Sequence, residues 1–143
     1  MSTPTSSAPR TLLITGASRG IGAATALLAA EHGWDVAINF VHGREAAEAV
    51  ATQVRAHGQR AITVAADVAD EAQVLAMFRS VDEQLGPLGG LVNNAGVVDV
   101  AARVDEMSVA RLTRMWAINL TGSMVCAREA VKRMSTRLGG AIM

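Results

Sequence analysis

Between an apolar, β-branched run at Leu12-Leu13-Ile14-Thr15 and a segment of helical period that starts at Gly20, the chain reads Thr15-Gly16-Ala17-Ser18-Arg19-Gly20-Ile21-Gly22. A strand that turns into a helix through bare glycines leaves backbone N–H groups uncovered at the helix N-terminus. Those groups, with the positive end of the helix dipole, suit a pyrophosphate, and glycine lets the ligand approach without a Cβ in the way. The spacing is Gly-x-x-x-Gly-x-Gly and departs from the Gly-x-Gly-x-x-Gly of the common dinucleotide fingerprint.

The rest of the chain repeats the strand-then-helix alternation that builds a parallel sheet with crossover helices. The first helix is expected from Gly20 to His32, with apolar positions Ile21, Ala24, Leu28 and Ala29, and a stop at Gly33. Val36 to Val41 reads as the second strand, and Arg44 to His57 as the second helix, with Ala46, Ala47, Val50 and Val54 facing inward. Ala61 to Ala66 reads as the third strand. Asp70 caps a helix carrying Val74, Leu75, Phe78, Val81 and Leu85 before Gly86-Pro87. Leu91-Val92 leads a fourth strand into Asn93-Asn94-Ala95-Gly96. Ser108 caps one long helix towards Arg137, with Leu112, Met115, Trp116, Leu120, Val125 and Met134 apolar, and Ala141-Ile142-Met143 has the character of an opening fifth strand.

Two of these segments carry a resemblance. Thr15 to Gly22 matches the Thr-Gly-x-x-x-Gly-x-Gly motif of the short-chain dehydrogenase/reductase family, and Asn93 to Gly96 matches its Asn-Asn-Ala-Gly motif after the fourth strand. The resemblance runs from Thr11 to Met143. It implies an α/β fold, a Rossmann-type doubly wound parallel sheet truncated at the start of the fifth strand. Residues 1–10 then form a flexible leader and residues 11–143 an incomplete NAD(P)-binding domain. On the same resemblance Asp67-Val68 looks like the adenine contact, and Asn119, in Ile118-Asn119-Leu120-Thr121-Gly122, looks like the family's catalytic-site asparagine. The cofactor-binding residues it implies are thus Thr15, Gly16, Ser18, Arg19, Gly20, Ile21, Gly22, Asp67, Val68, Asn93, Asn94, Ala95 and Gly96.

The end of the second strand bears on the choice of nicotinamide cofactor. A carboxylate there would accept from the ribose hydroxyls and repel a 2′-phosphate, but the sequence offers Asn39, Phe40 and Val41. Arg19, His42 and Arg44 are close enough along the chain to meet a dianionic phosphate, and Asn39, His42 and Arg44 join the expected cofactor-binding residues. NADP(H) is the expected cofactor, with NAD as the other choice. Family members use a Tyr, a Lys four residues later and a Ser for proton transfer and carbonyl orientation. This sequence contains no tyrosine and stops where the fifth strand begins, so it is expected to be inactive alone. A complete relative would exchange hydride with a small carbonyl or alcohol substrate. A non-catalytic NADP(H)-binding module and a fragment that binds nothing are the competing readings.

Bulk properties narrow the field further. Thirteen basic and thirteen acidic side chains cancel, which leaves no long-range field to gather nucleic acid or an anionic membrane. No run approaches the ~20 apolar residues of a membrane span. The polar leader is not a secretory signal, and a single cysteine, Cys126, makes no internal disulfide, so a cytoplasmic setting and a buried, inert thiol are expected. His32, His42 and His57 lack metal-ligand spacing, and no metal is expected. The helix carrying Asn119 forms a subunit interface in the family, which implies a homo-oligomer through its apolar face, including Trp116 and Met124.

Overall fold

The computed structural model describes residues 8–134 and 139–143. Five strands, β1 (Thr11–Ile14), β2 (Asp35–Phe40), β3 (Ala61–Ala65), β4 (Leu88–Val92) and β5 (Ala141–Ile142), form one parallel sheet in the order β3-β2-β1-β4-β5. Parallel neighbours cannot be joined by a hairpin, so each connection crosses a face of the sheet. Helices α1 (Gly20–Glu31) and α2 (Arg44–Ala56) cover one face, packing Ala26, Ala30, Val50 and Val54 on Ile14, Val36, Ile38 and Phe40. On the other face α3 (Glu71–Leu85) and α5 (Ser123–Arg133) bury Phe78, Val81, Cys126 and Ala130 against Leu13, Leu88 and Leu91. The winding direction reverses between β1 and β4. Open sheets of this kind bind ligands in the crevice beyond the strands' carboxyl ends at such a reversal.

The α/β class and the parallel order agree with the sequence reading, but two helices differ from it. In α1 the buried face is Gly22, Ala26 and Ala30, while Ile21 and Leu28, two of the apolar positions that mark its helical period, are 80% and 57% exposed. The reason is Gly22: a Cβ there would lie 2.6 Å from Asn94 Nδ2 and 2.9 Å from both Ala17 Cα and Gly16 O, so the helix seats its glycine against the loop. Only small residues follow it along that face. In α2 the same kind of shift leaves Ala46 exposed and buries Ala51 beside Ala47, Val50 and Val54.

The expected single helix from Ser108 is three pieces within the described residues. Ser108 Oγ caps α4 (Val109–Trp116) by accepting from Arg111 N, Ala117–Gly122 is a π-helical turn, and α5 continues from Ser123. Arg137 lies outside the described residues. The buried stripe runs through Ile118, Gly122, Cys126 and Ala130, where a Cβ on Gly122 would come within 2.8 Å of Val68. Trp116, Leu120 and Met124 form a parallel stripe at four-residue spacing, each at least 60% exposed.

Arg128 and Arg133 of α5 pair with Glu71 and Asp82 of α3, and both also meet the buried carboxylate of Glu129. Hydrogen bonding from Lys132, joined by Arg133 and Arg128, holds that carboxyl below its usual range despite burial. Burial, with Glu129 adding to it, pushes the Cys126 thiol up to about 11, so it stays protonated and unreactive near neutral pH. Among the described residues no helix is long and apolar enough to cross a membrane, and no acidic, His or Cys cluster could hold a metal ion.

Candidate nucleotide-binding site

The loop from Thr15 to Gly22 is built by side chains that sit behind it. Gly16 has φ +61°, and a Cβ on it would meet Ala95 Cα at 3.0 Å, so both its twist and its neighbour demand glycine. Asn39, 1% exposed, accepts from Gly16 N at 3.1 Å through Oδ1 and donates through Nδ2 to Val64 O at 3.2 Å and Ala66 O at 3.0 Å. Its backbone carbonyl accepts from Ala17 N at 2.8 Å. The Asn39 side chain, counted among the cofactor contacts from the sequence, is thus spent on tying β2, β3 and the loop together.

Thr15 behaves likewise. Its buried Oγ1 accepts from Asn94 N at 3.0 Å and Ala95 N at 2.9 Å, while Asn94 Nδ2 donates to Thr15 O and Gly16 O, both at 2.9 Å. The two family-like segments thus form one hydrogen-bonded unit across the β1–β4 reversal. Asn93 Nδ2 donates to Ser123 O at 3.1 Å, and Asn119 clamps the next residue, accepting from Val97 N and donating to Val97 O, each at 2.8 Å. Asn119 sits within the π-helical turn, a distortion common where a helix serves a site.

In front of this framework lies a cleft of about 600 Å³. Its lining includes Gly16, Ser18, Arg19 and Gly20 from the loop, Phe40, His42 and Gly43 from the end of β2 onward, and Asp67, Asn94, Ala95, Gly96, Arg114 and Ile118. Arg19 stands at the N-cap of α1 with no side-chain cap, and the amides of Gly20, Ile21 and Gly22 find no backbone acceptor among the described residues. A Cβ on Gly20 would meet nothing within 4 Å. A helix start with amides lacking backbone acceptors and open space at Gly20 is what a diphosphate requires, so the residues present fit a dinucleotide.

Other expected residues divide clearly. Asp67 lines the cleft; Oδ1 accepts from Ala69 N at 2.9 Å, and the second carboxylate oxygen has no partner among the described residues. The Val68 side chain is 5% exposed and packs in the core against Gly122. Arg44 is exposed, its guanidinium carbon 5.3 Å from the centroid of the Phe40 ring, and His42 is exposed on the cleft wall. Phe40 itself is 3% exposed. Arg114 was missed by motif reading. Its only signal in the sequence is that it precedes Ile118 by four residues, which puts both on one side of the helix.

A family model for short chain dehydrogenases matches residues 10–143. The uncharacterized oxidoreductase YgfF of Escherichia coli (strain K12) is 44% identical over 128 residues, covering 90% of this chain and 52% of that protein. A 3-oxoacyl-[acyl-carrier-protein] reductase, FabG, of Staphylococcus aureus is 38% identical over 138 residues, with 94% of this chain and 54% of the relative covered. Among solved structures, a short-chain dehydrogenase/reductase from Serratia marcescens superimposes with a TM-score of 0.87 at 35% identity, covering 93% of this chain and 53% of that one. The chain spans about half the length of the relatives it matches.

Proposed function

We propose, on the premise that this chain belongs to the short-chain dehydrogenase/reductase family, that it is the nucleotide-binding part of an NADP(H)-dependent oxidoreductase. The observation that carries this reading is the start of α1, where the amides of Gly20 to Gly22 have no backbone acceptor among the described residues, Ser18, Arg19 and Gly20 line the cleft, and Thr15, Asn39 and Asn94 brace the loop. Bound there, the nicotinamide would supply hydride exchange with a small carbonyl or alcohol substrate. The chain's own residues bind and orient. The amides take the diphosphate, Asp67 accepts from the exocyclic amine of adenine, and Asn119 fixes the backbone at Val97 beside the cleft.

The preference for NADP(H) is supported by charge. Asp67 is the one carboxylate on the cleft wall among the described residues, and buried Phe40 holds the position from which an acid would repel a 2′-phosphate. Arg19 and His42 line the same cleft as Phe40, and Arg44 rests on the Phe40 ring. A charge-assisted hydrogen bond contributes roughly 1.5–3 kcal/mol. Arg19→Ala is therefore expected to weaken NADPH binding by about 10- to 100-fold and NADH binding by less than about threefold. Isothermal titration with both nucleotides measures this, and equal losses would sink the NADP(H) assignment.

With no tyrosine in these 143 residues, the hydroxyl that family members use for proton transfer must come from outside them. Carbonyl reduction by this polypeptide alone is therefore not part of the proposal. The apolar stripe of Trp116, Leu120 and Met124 supports self-association through the helix that carries Asn119.

A further inference from the structure

We infer that Arg114 is a cofactor-binding residue that covers the adenine base, its guanidinium plane lying against the purine face. The inference rests on the NADP(H)-binding reading above and assigns a role to a side chain that neither family motif contains. Arg114 lines the cleft together with Asp67, the acceptor proposed for the adenine amine, and with Ile118 one helical turn on. Arg114 also borders a second cavity of about 520 Å³ with Val98, Ala110 and Met115, so it stands between the two.

Its neighbours along the helix are already engaged. Arg111 Nε lies 2.7 Å from Asp99 Oδ2, and Arg128 pairs with Glu71, but Arg114 is exposed and its side chain has no hydrogen bond or ion pair among the described residues. A guanidinium is planar and weakly hydrated, and it stacks on aromatic faces in a way that an ammonium does not. Ile118, which also lines the cleft, offers the apolar surface that a base needs beneath it.

The test compares the unsubstituted chain with Arg114→Ala and Arg114→Lys by titration calorimetry, using NADPH and adenosine 2′,5′-bisphosphate, which carries the base without the nicotinamide. Circular dichroism confirms that the variants fold. Arg114→Ala should weaken both ligands by the same factor, roughly five- to tenfold, and Arg114→Lys should recover little of the loss because it restores charge without the plane. Unchanged NADPH binding by Arg114→Ala would overturn the inference alone, as would full recovery by Arg114→Lys, which would mean a phosphate contact. Absence of NADPH binding by the unsubstituted chain would overturn both the inference and the function beneath it.

Discussion

Gly22→Ala is expected to destabilise the chain by about 2 kcal/mol and to lower NADPH affinity at least about tenfold. The sign is what makes the experiment decisive. At a helical position with room for a methyl group, the same exchange stabilises by roughly 0.4–1 kcal/mol, because alanine has less backbone freedom to lose. Gly22 has no such room: the new Cβ would lie 2.9 Å from Ala17 Cα and Gly16 O, which are backbone atoms, and 2.6 Å from Asn94 Nδ2. Either α1 moves off the sheet or the Asn94 side chain leaves Thr15 O and Gly16 O, and each response displaces the amides at the helix start. Urea unfolding and NADPH titration of the same preparation read both effects. An alanine variant as stable as the parent would show that the close seating of Gly22 does not set the loop.

The second large effect is expected at Asn39. Asn39→Leu fills the space but leaves Gly16 N–H, Val64 O and Ala66 O without the side-chain partner each has, at roughly 1–3 kcal/mol for every buried group stranded. A loss of about 4 kcal/mol is the expectation, a large fraction of the ~5–15 kcal/mol by which a domain is stable. Asn39→Asp sharpens the point. It keeps an acceptor for Gly16 N but sets a second carboxylate oxygen against two carbonyl oxygens in a site that is 1% exposed. Thermal melts should place the Asp variant as low as the Leu variant. Were Asn39 a solvated ligand contact instead, the Asp variant would melt with the parent.

How far the sequence alone could be read follows from the physics of each element. The parallel architecture was legible because β-branched runs and helical segments alternate at crossover length, and the loop was legible because three glycines sit at a strand-to-helix junction. Element ends fell close to their expected places where a capping residue fixes them, as Asp70 does by accepting from Gln73 N. The facing of α1 was not legible. Periodicity marks Ile21 and Leu28 among the apolar positions, but the contact that turns the helix is between Gly22 and a strand end more than 70 residues away. The π-helical turn at Ala117–Gly122 escaped for a similar reason, since nothing local to Ile118-Asn119-Leu120 marks a break in α-helical spacing.

The site was legible as a set of segments, but not in what each side chain does. Motif matching groups residues that touch a ligand with residues that hold those residues in place. Ser18, Arg19, Gly20 and Asp67 face the cleft, whereas Thr15, Asn39 and Asn93 spend their side chains on other parts of the chain. A buried asparagine in the run Ala37-Ile38-Asn39-Phe40 was the available clue, because a polar side chain in a covered strand needs partners of its own. Arg114 lay outside every motif and enters only once α4 is seen to wall the cleft.

Amide resonances offer the most direct test of the diphosphate cradle. In a nitrogen-15 correlation spectrum of the 143-residue chain titrated with NADPH, the largest shifts should fall on Arg19, Gly20 and Ile21, whose N–H groups would change from water to phosphate oxygen. Saturating NADPH that leaves those three signals in place, whether or not others move, would contradict the account.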